Sequence, residues 1–140
     1  ICFVKVKNAI HGITKVSYLT TITEAAVIMD KRKIGSVLIE ENGKVIGIMT
    51  ERDILKKIVA KGENPNKVTV KEIMSSPLIT IDANAELSVA SSIMEKNNIR
   101  RLVVTDNKEI VGIITTRDVS NNVNYLLAKG ATAYFPPVYY

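Results

Sequence analysis

The chain is poor in the residues that carry most covalent and metal chemistry: its 140 residues hold one cysteine and one histidine. Cys2 alone cannot close an internal disulfide, and no cluster of cysteine or histidine accompanies it. Neither a secreted disulfide scaffold nor a zinc site is supported, and a reducing, cytoplasmic compartment is expected. No activating neighbour stands beside Cys2. His11 precedes the first expected strand, a place for a surface residue or the edge of a ligand rather than a general base. Neither a P-loop nor a GxGxxG is present, so phosphoryl transfer and dinucleotide chemistry have no motif to rest on. No apolar run approaches the roughly 20 residues of a membrane span. Aromatics make up 5% of the chain, too few to interleave with its 19 Lys and Arg as base-stacking platforms. These gaps argue against an enzyme, a membrane protein and a nucleic-acid binder. The net charge of +5 still leaves an anionic partner open.

What remains is a globular composition, 46% hydrophobic and 24% charged, of a length that makes one domain or two small units sharing a core. The start, ICFVKVK, has neither an initiator methionine nor a signal-peptide pattern and reads as a trimmed or incomplete beginning.

The dominant feature is internal repetition. Sliding the chain by 65 residues aligns Ile34 to Asp53 with Ile99 to Asp118, with seven of twenty positions identical. GIMTERD at 47–53 meets GIITTRD at 112–118. The offset extends back through Ala25/Ala90, Ile28/Ile93 and Met29/Met94 to Ile13–Val16 against Leu78–Ile81. Within each copy, Ile22, Ala25, Ala26, Ile28 and Met29, or Leu87, Ala90, Ile93 and Met94, recur at helical spacing, with Thr23 and Ser88 as expected N-caps. Short β-branched runs follow at Ser36–Glu40 and Arg101–Thr105, then turns at Glu41–Gly43 and Asp106–Lys108. Returning strands at 44–50 and 109–115 complete two hairpins. A second helix is expected from Glu51 to about Lys61, and from Thr116 to about Lys129, stopped by Gly62 and Gly130.

Each unit therefore reads strand, helix, strand, strand, helix. The fold class is α+β: two βαββα repeats packed face to face about a pseudo-twofold axis, since neither alone covers its sheet. The expected organisation is an extension at 1–5, repeats at 6–62 and 70–130, a polar linker at 63–69 and a tail at 131–140. The tail carries three of the five tyrosines and is expected to be extended, against a partner subunit. Val70–Met74 opens the second repeat, and Val6–Ile10 reads as its degraded counterpart.

The repeated heptad carries the candidate chemistry. Thr50 and Thr115 end strands, and Asp53 and Asp118 fall in the first turn of the following helices, where free N–H groups and the dipole favour an anion. A carboxylate accepts hydrogen bonds on both oxygens, which suits the adjacent hydroxyls of a ribose. Gly47 and Gly112, without a Cβ, permit a close approach. The same Thr-x-x-Asp spacing is equally a capping box that needs no ligand. Arg52 and Arg117 oppose the dipole there, so they are either solvated or contacts to an anion.

The order of elements, IGSVLI and IRRLVV at the hairpin starts, Glu24–Ala–Ala and Val89–Ala–Ser in the first helices, and the twin G-h-h-T-x-x-D signature resemble a tandem pair of CBS domains, the Bateman module, over residues 6 to about 130. Such modules accompany IMP dehydrogenase, chloride channels, magnesium transporters and the γ subunit of AMP-activated kinase. The resemblance implies a regulatory sensor that requires no cofactor. It would bind an adenosine-containing ligand (AMP, ADP, ATP, S-adenosylmethionine or methylthioadenosine) in clefts between the repeats. One pocket would join Ile48, Thr50, Arg52 and Asp53 with Leu78, Ile79, Thr80, Ile99 and Arg100 or Arg101. The other would join Ile113, Thr115, Arg117 and Asp118 with Gly12, Ile13, Thr14, Ile34 and Gly35. An arginine at 100 or 101 would bias the Asp53 pocket to phosphorylated ligands and leave the other to a nucleoside or sulfonium. The resemblance also implies a homodimer formed through the helices, for which the stripe Ile54, Leu55, Ile58 and Val59 offers candidate contacts or, equally, core positions, and an effector protein or domain. A scaffold with empty pockets and a nucleic-acid binder are the alternatives.

Overall fold

A computed structural model describes residues 4–128, with side chains as far as residue 122. Cys2, the Gly130 stop and the tail at 131–140 lie outside the described residues. The architecture is α+β, with two three-stranded sheets and their helices in two compact units, residues 13–78 and residues 4–12 with 79–128.

In the first-repeat unit, β1 (Lys15–Ser17) lies parallel to β2 (Ser36–Glu41), which pairs antiparallel with β3 (Lys44–Thr50). Helix α1 (Ile22–Arg32) connects β1 to β2, and α2 (Glu51–Ile54) leaves β3. A short helix α3 (Val70–Ile73) ends the unit. The second-repeat unit repeats this with β4 (Thr80–Asp82), α4 (Leu87–Asn97), β5 (Arg101–Asp106), β6 (Glu109–Thr115) and α5 (Thr116–Ala128). The pairing follows the same pattern, down to a bulge after Ile39 and after Val104. Among the described residues, no helix is long and apolar enough to cross a membrane.

The local causes are those of the sequence pattern. The two-residue hairpin loops need positive φ at both central positions. Asn42 and Gly43 adopt 52° and 78°, and Asn107 and Lys108 adopt 49° and 68°. The helical stripes point inward: Ile22, Ala25 and Met29 join Val16, Val37, Ile39 and Met49 in one core, and Leu87, Ala90 and Met94 join Ile81, Leu102, Val104 and Ile114 in the other. At about 25 cal/mol per Å² of apolar area, these side chains supply most of the folding drive.

Three local expectations are corrected. The N-cap of α1 is Thr21, not Thr23: its hydroxyl accepts from Glu24 N–H at 3.2 Å and the Glu24 carboxylate returns to Thr21 N–H. The N-cap of α4 is Glu86, not Ser88, and makes no side-chain cap. Both helices start earlier than expected because Ile22 and Leu87 donate their N–H to Val68 and Val4 carbonyls. The second helix of the first repeat is α-helical only over Glu51–Ile54. Leu55–Val59 continues as a π turn, with Ala60 N–H on Leu55 O and Glu63 N–H on Ile58 O, before Gly62 turns left-handed at φ 66°.

The units do not follow sequence order at their beginnings. Val6, in a single turn of 3-10 helix (Val6–Asn8), is fully buried in the core of the second-repeat unit, while Val70 and Ile73 of α3 are buried in that of the first. Val6 N–H bonds Ala85 O at 2.8 Å, and Val70 N–H bonds Thr20 O at the same distance. Each βαββα body thus takes the leading segment of the other repeat.

Candidate functional site

The two heptads fold into the same local structure. In the first, Thr50 N–H donates to Asp53 Oδ2 at 2.9 Å, and Asp53 N–H donates back to the Thr50 hydroxyl at 3.4 Å. In the second, Thr115 N–H reaches Asp118 Oδ2 at 2.8 Å and Asp118 N–H reaches the Thr115 hydroxyl at 3.2 Å. Each threonine hydroxyl also donates to that same Oδ2, at 3.3 and 2.8 Å. The capping box is therefore formed in both copies and uses one carboxylate oxygen of each. Asp53 and Asp118 are 8% and 7% exposed, so these anions rest on supplied hydrogen bonds rather than on bulk water.

The other oxygen, Oδ1, is met by the leading segment. At Asp53 it accepts from the Ser75 hydroxyl at 3.2 Å and pairs with the Lys57 ammonium at 3.0 Å. Lys57 also donates to Ile73 O at 2.8 Å. At Asp118 it is held by His11 Nε2. His11 and Ser75 occupy the same place: each sits in an isolated antiparallel bridge, His11 with Ile113 and Ser75 with Ile48. The lysine has no counterpart, because the position 65 residues on is Asn122, whose side chain donates to Asp118 O at 2.8 Å.

This bridge also explains the glycines. A Cβ on Gly47 would stand 2.5 Å from Met74 Sδ and 3.0 Å from Ser75 O, and one on Gly112 would stand 2.7 Å from His11 O and 3.0 Å from Ile10 Cβ. The close approach is made by the chain's own leading segments. Sequence reasoning missed Ser75 and Lys57 and gave His11 no partner. The signal was the change of offset from 65 to 64, which brings Val6, Ile10 and His11 opposite Val70, Met74 and Ser75.

The remaining candidates divide between the units. In residues 13–78, Ile48 lies on β3 opposite Leu38, and Thr14 O accepts Leu38 N–H at 2.9 Å while its hydroxyl accepts from Arg32 at 3.3 Å. Gly35 O accepts the first N–H of α2, from Glu51, at 3.1 Å, and Ile34 packs at the edge of the core. Ile13 and Leu78 are half-buried and Arg52 is exposed. In the other unit, Arg100 O accepts the first N–H of α5, from Thr116, at 3.0 Å, and Ile79 O accepts Val103 N–H at 3.2 Å. Thr80 pairs with Val103, Arg101 with Thr115, and Ile99 packs against the core. Ile113 is buried, and Gly12 and Arg117 are exposed. An open groove of about 500 Å³ in the first-repeat unit is lined by Ala26, Met29, Asp30, Ile34, Glu51 and Ile54, and reaches neither Thr50 nor Asp53. Among the described residues, no three His, Cys, Asp or Glu gather as a metal would require.

The family model described as CBS domain matches residues 6–60 and 70–125. A Methanopyrus kandleri protein of uncharacterized function is 42% identical over 110 residues, which are 77% of this chain and 56% of that protein. The CBS domain-containing protein YhcV of Bacillus subtilis is 34% identical over 110 residues, 79% of this chain and 78% of that one. The chain therefore spans only about half the length of the first of these relatives. Among solved structures, Hypoxic Response Protein I with two coordinated zinc ions superposes with a TM-score of 0.71 at 31% identity, over 84% of this chain and 98% of that one.

Proposed function

Because the chain belongs to the CBS-domain family, matched through both of its repeats, we propose that it is a regulatory module. It binds an adenosine-containing ligand, of the class of AMP, ADP, ATP, S-adenosylmethionine or methylthioadenosine, at the carboxylates of Asp53 and Asp118. The observation that supports this is the fixed state of those two anions. Each is nearly buried, pinned on Oδ2 by its own helix start and approached on Oδ1 by side chains from a separate segment. A carboxylate already oriented can accept two neighbouring hydroxyls with little further ordering. The module acts by differential affinity: a ligand that prefers one conformational state shifts the chain toward it, and an effector protein or domain reads the shift.

Thermal unfolding with the ligand panel tests this. One adenosyl compound should raise the midpoint of the wild-type protein, by the equivalent of about 2.7 kcal/mol at a hundred times its dissociation constant. Asp53→Ala or Asp118→Ala should remove that increment, read against each variant's own ligand-free midpoint because both also lose a cap. A panel that moves nothing would sink the reading.

A second reading, dimerisation through the helices, is favoured by one asymmetry. In the first-repeat unit Leu19, Val27, Leu55 and Val59 are 64%, 47%, 60% and 65% exposed. Their counterparts 65 residues on are Asn84, Ser92, Ser120 and Asn124. Apolar side chains kept on the surface of one copy and replaced by polar ones in the other suit contact with a second chain. Sedimentation should show a wild-type dimer and a monomer for the Leu55→Glu, Val59→Glu double variant. A wild-type monomer at micromolar concentration excludes this reading.

A further inference from the structure

Asp118 presents two oxygens, and the fold has already assigned both. Oδ2 closes the cap with Thr115, and Oδ1 is held by the His11 imidazole. Oδ2 already accepts two bonds, so a ligand that bonds this carboxylate without unravelling the start of α5 takes Oδ1, and a pair of vicinal hydroxyls needs both acceptor positions there, including the one His11 fills. The imidazole is well placed to leave. Its side chain is 64% exposed while that of Asp118 is 9% exposed, so water can receive the ring that moves but not the carboxylate that stays.

The backbone around His11 is anchored on both sides, with the bridge at His11 between. Upstream, Val6 is fully buried and bonded to Ala85 O, and Lys7 N–H reaches Ala83 O at 2.9 Å. At His11 the chain is held to the edge of β6 by two hydrogen bonds, His11 N–H to Ile113 O at 2.9 Å and Ile113 N–H to His11 O at 3.1 Å. Gly12, next in line, has open space around it. Downstream, Thr14 O accepts Leu38 N–H at 2.9 Å and Lys15–Ser17 pairs as β1, so the segment is a strap pinned at Val6 and at Thr14 and fastened to β6 between them by one bridge and one side chain.

We propose that His11 is a displaceable occupant of Asp118. A ligand with vicinal hydroxyls, as on a nucleoside ribose, replaces the imidazole on Oδ1 and thereby loosens residues 10–12 from the edge of β6. This rests on the reading of Asp118 as a ligand contact and adds to it a moving part. The first-repeat unit uses a different fastening, since Asp53 Oδ1 carries both a hydroxyl and an ammonium, and Lys57 ties that ammonium to Ile73 O as well. The strap that responds is the one at His11.

Calorimetric titration of the full chain with AMP and with methylthioadenosine tests the proposal on wild type, His11→Ala, His11→Gln and Asp118→Ala, each first confirmed folded by its thermal midpoint. Removing the competitor should tighten binding roughly two- to tenfold in His11→Ala, the range of one side-chain hydrogen bond, with His11→Gln between it and wild type and Asp118→Ala weakened. Amide hydrogen exchange supplies a readout that a merely structural histidine would not move: saturating probe should speed exchange at His11 and Ile113 in the wild-type protein. Unchanged or weaker binding by His11→Ala, or exchange at those amides that stays constant or slows, overturns the displacement. If His11→Ala is unchanged while Asp118→Ala loses the probe, the ligand contact stands and the strap alone falls. If neither probe binds wild type or His11→Ala, both fall together.

Discussion

The two repeats share a backbone and differ in what completes it. At the hairpin loop the first repeat has Asn42–Gly43 and the second Asn107–Lys108, with both central residues left-handed in each. At the first helix, one repeat has a closed capping box from Thr21 and Glu24, and the other begins at Glu86 with no side-chain cap. At the motif aspartate, a serine and a lysine stand in one unit and a histidine in the other. At the edge strand, the tightest neighbour of a Cβ on Gly47 is the flexible Met74 side chain, with the Ser75 carbonyl at 3.0 Å, whereas that of Gly112 is the His11 carbonyl at 2.7 Å. The lesson is that the positions which fix the fold are held in common, while the partners of those positions have diverged. A βαββα body tolerates different fastenings as long as each buried polar group still finds one.

The edge glycines give the largest expected contrast. Gly112→Ala must push against a carbonyl oxygen and should lose about 1–3 kcal/mol in urea unfolding, the usual scale of overpacking. Gly47→Ala should lose less, because the thioether of Met74 can swing away. Equal losses would show that the two edges are packed alike. The caps come next. Thr21→Ala should lose about 1 kcal/mol and Glu86→Ala no more than a few tenths, since only the first removes a capping side chain. A matching loss at Glu86, measured by the same denaturation, would mean that α4 depends on a contact its start does not display. The hairpin loops give an effect of the opposite sign. Lys108→Gly, which relieves a left-handed lysine, should raise stability by roughly 0.5–1 kcal/mol, while Gly43→Lys in the other loop should lower it by a similar amount. A thermal midpoint for Lys108→Gly at or below wild type would contradict the strain implied by its φ of 68°.

Much of this architecture was legible before any coordinates. The helical spacing of Ile22, Ala25 and Met29, the β-branched runs and the Asn-rich turns each report local backbone physics that nearby residues settle among themselves, and both hairpins lie where those signals put them. The Thr-x-x-Asp box also closes within four residues, so its spacing alone announced the alternative that is formed in the structure. The starts of α1 and α4 were misplaced because their first N–H groups are claimed by Val68 and Val4, which are distant in sequence.

The sequence by itself determined the repeat, the order of elements, the faces that turn inward and the identity of the two carboxylates, since these follow from periodicity and from pairs a few residues apart. Only the tertiary structure decided that residues 4–12 pack with the second repeat and α3 with the first, that the glycines face those segments, and that His11 lies on Asp118, 107 residues away. The reason is that hydrogen bonds and close packing are short-ranged in space but indifferent to sequence separation. A partner brought in by chain topology leaves no periodic trace beside the residue it meets.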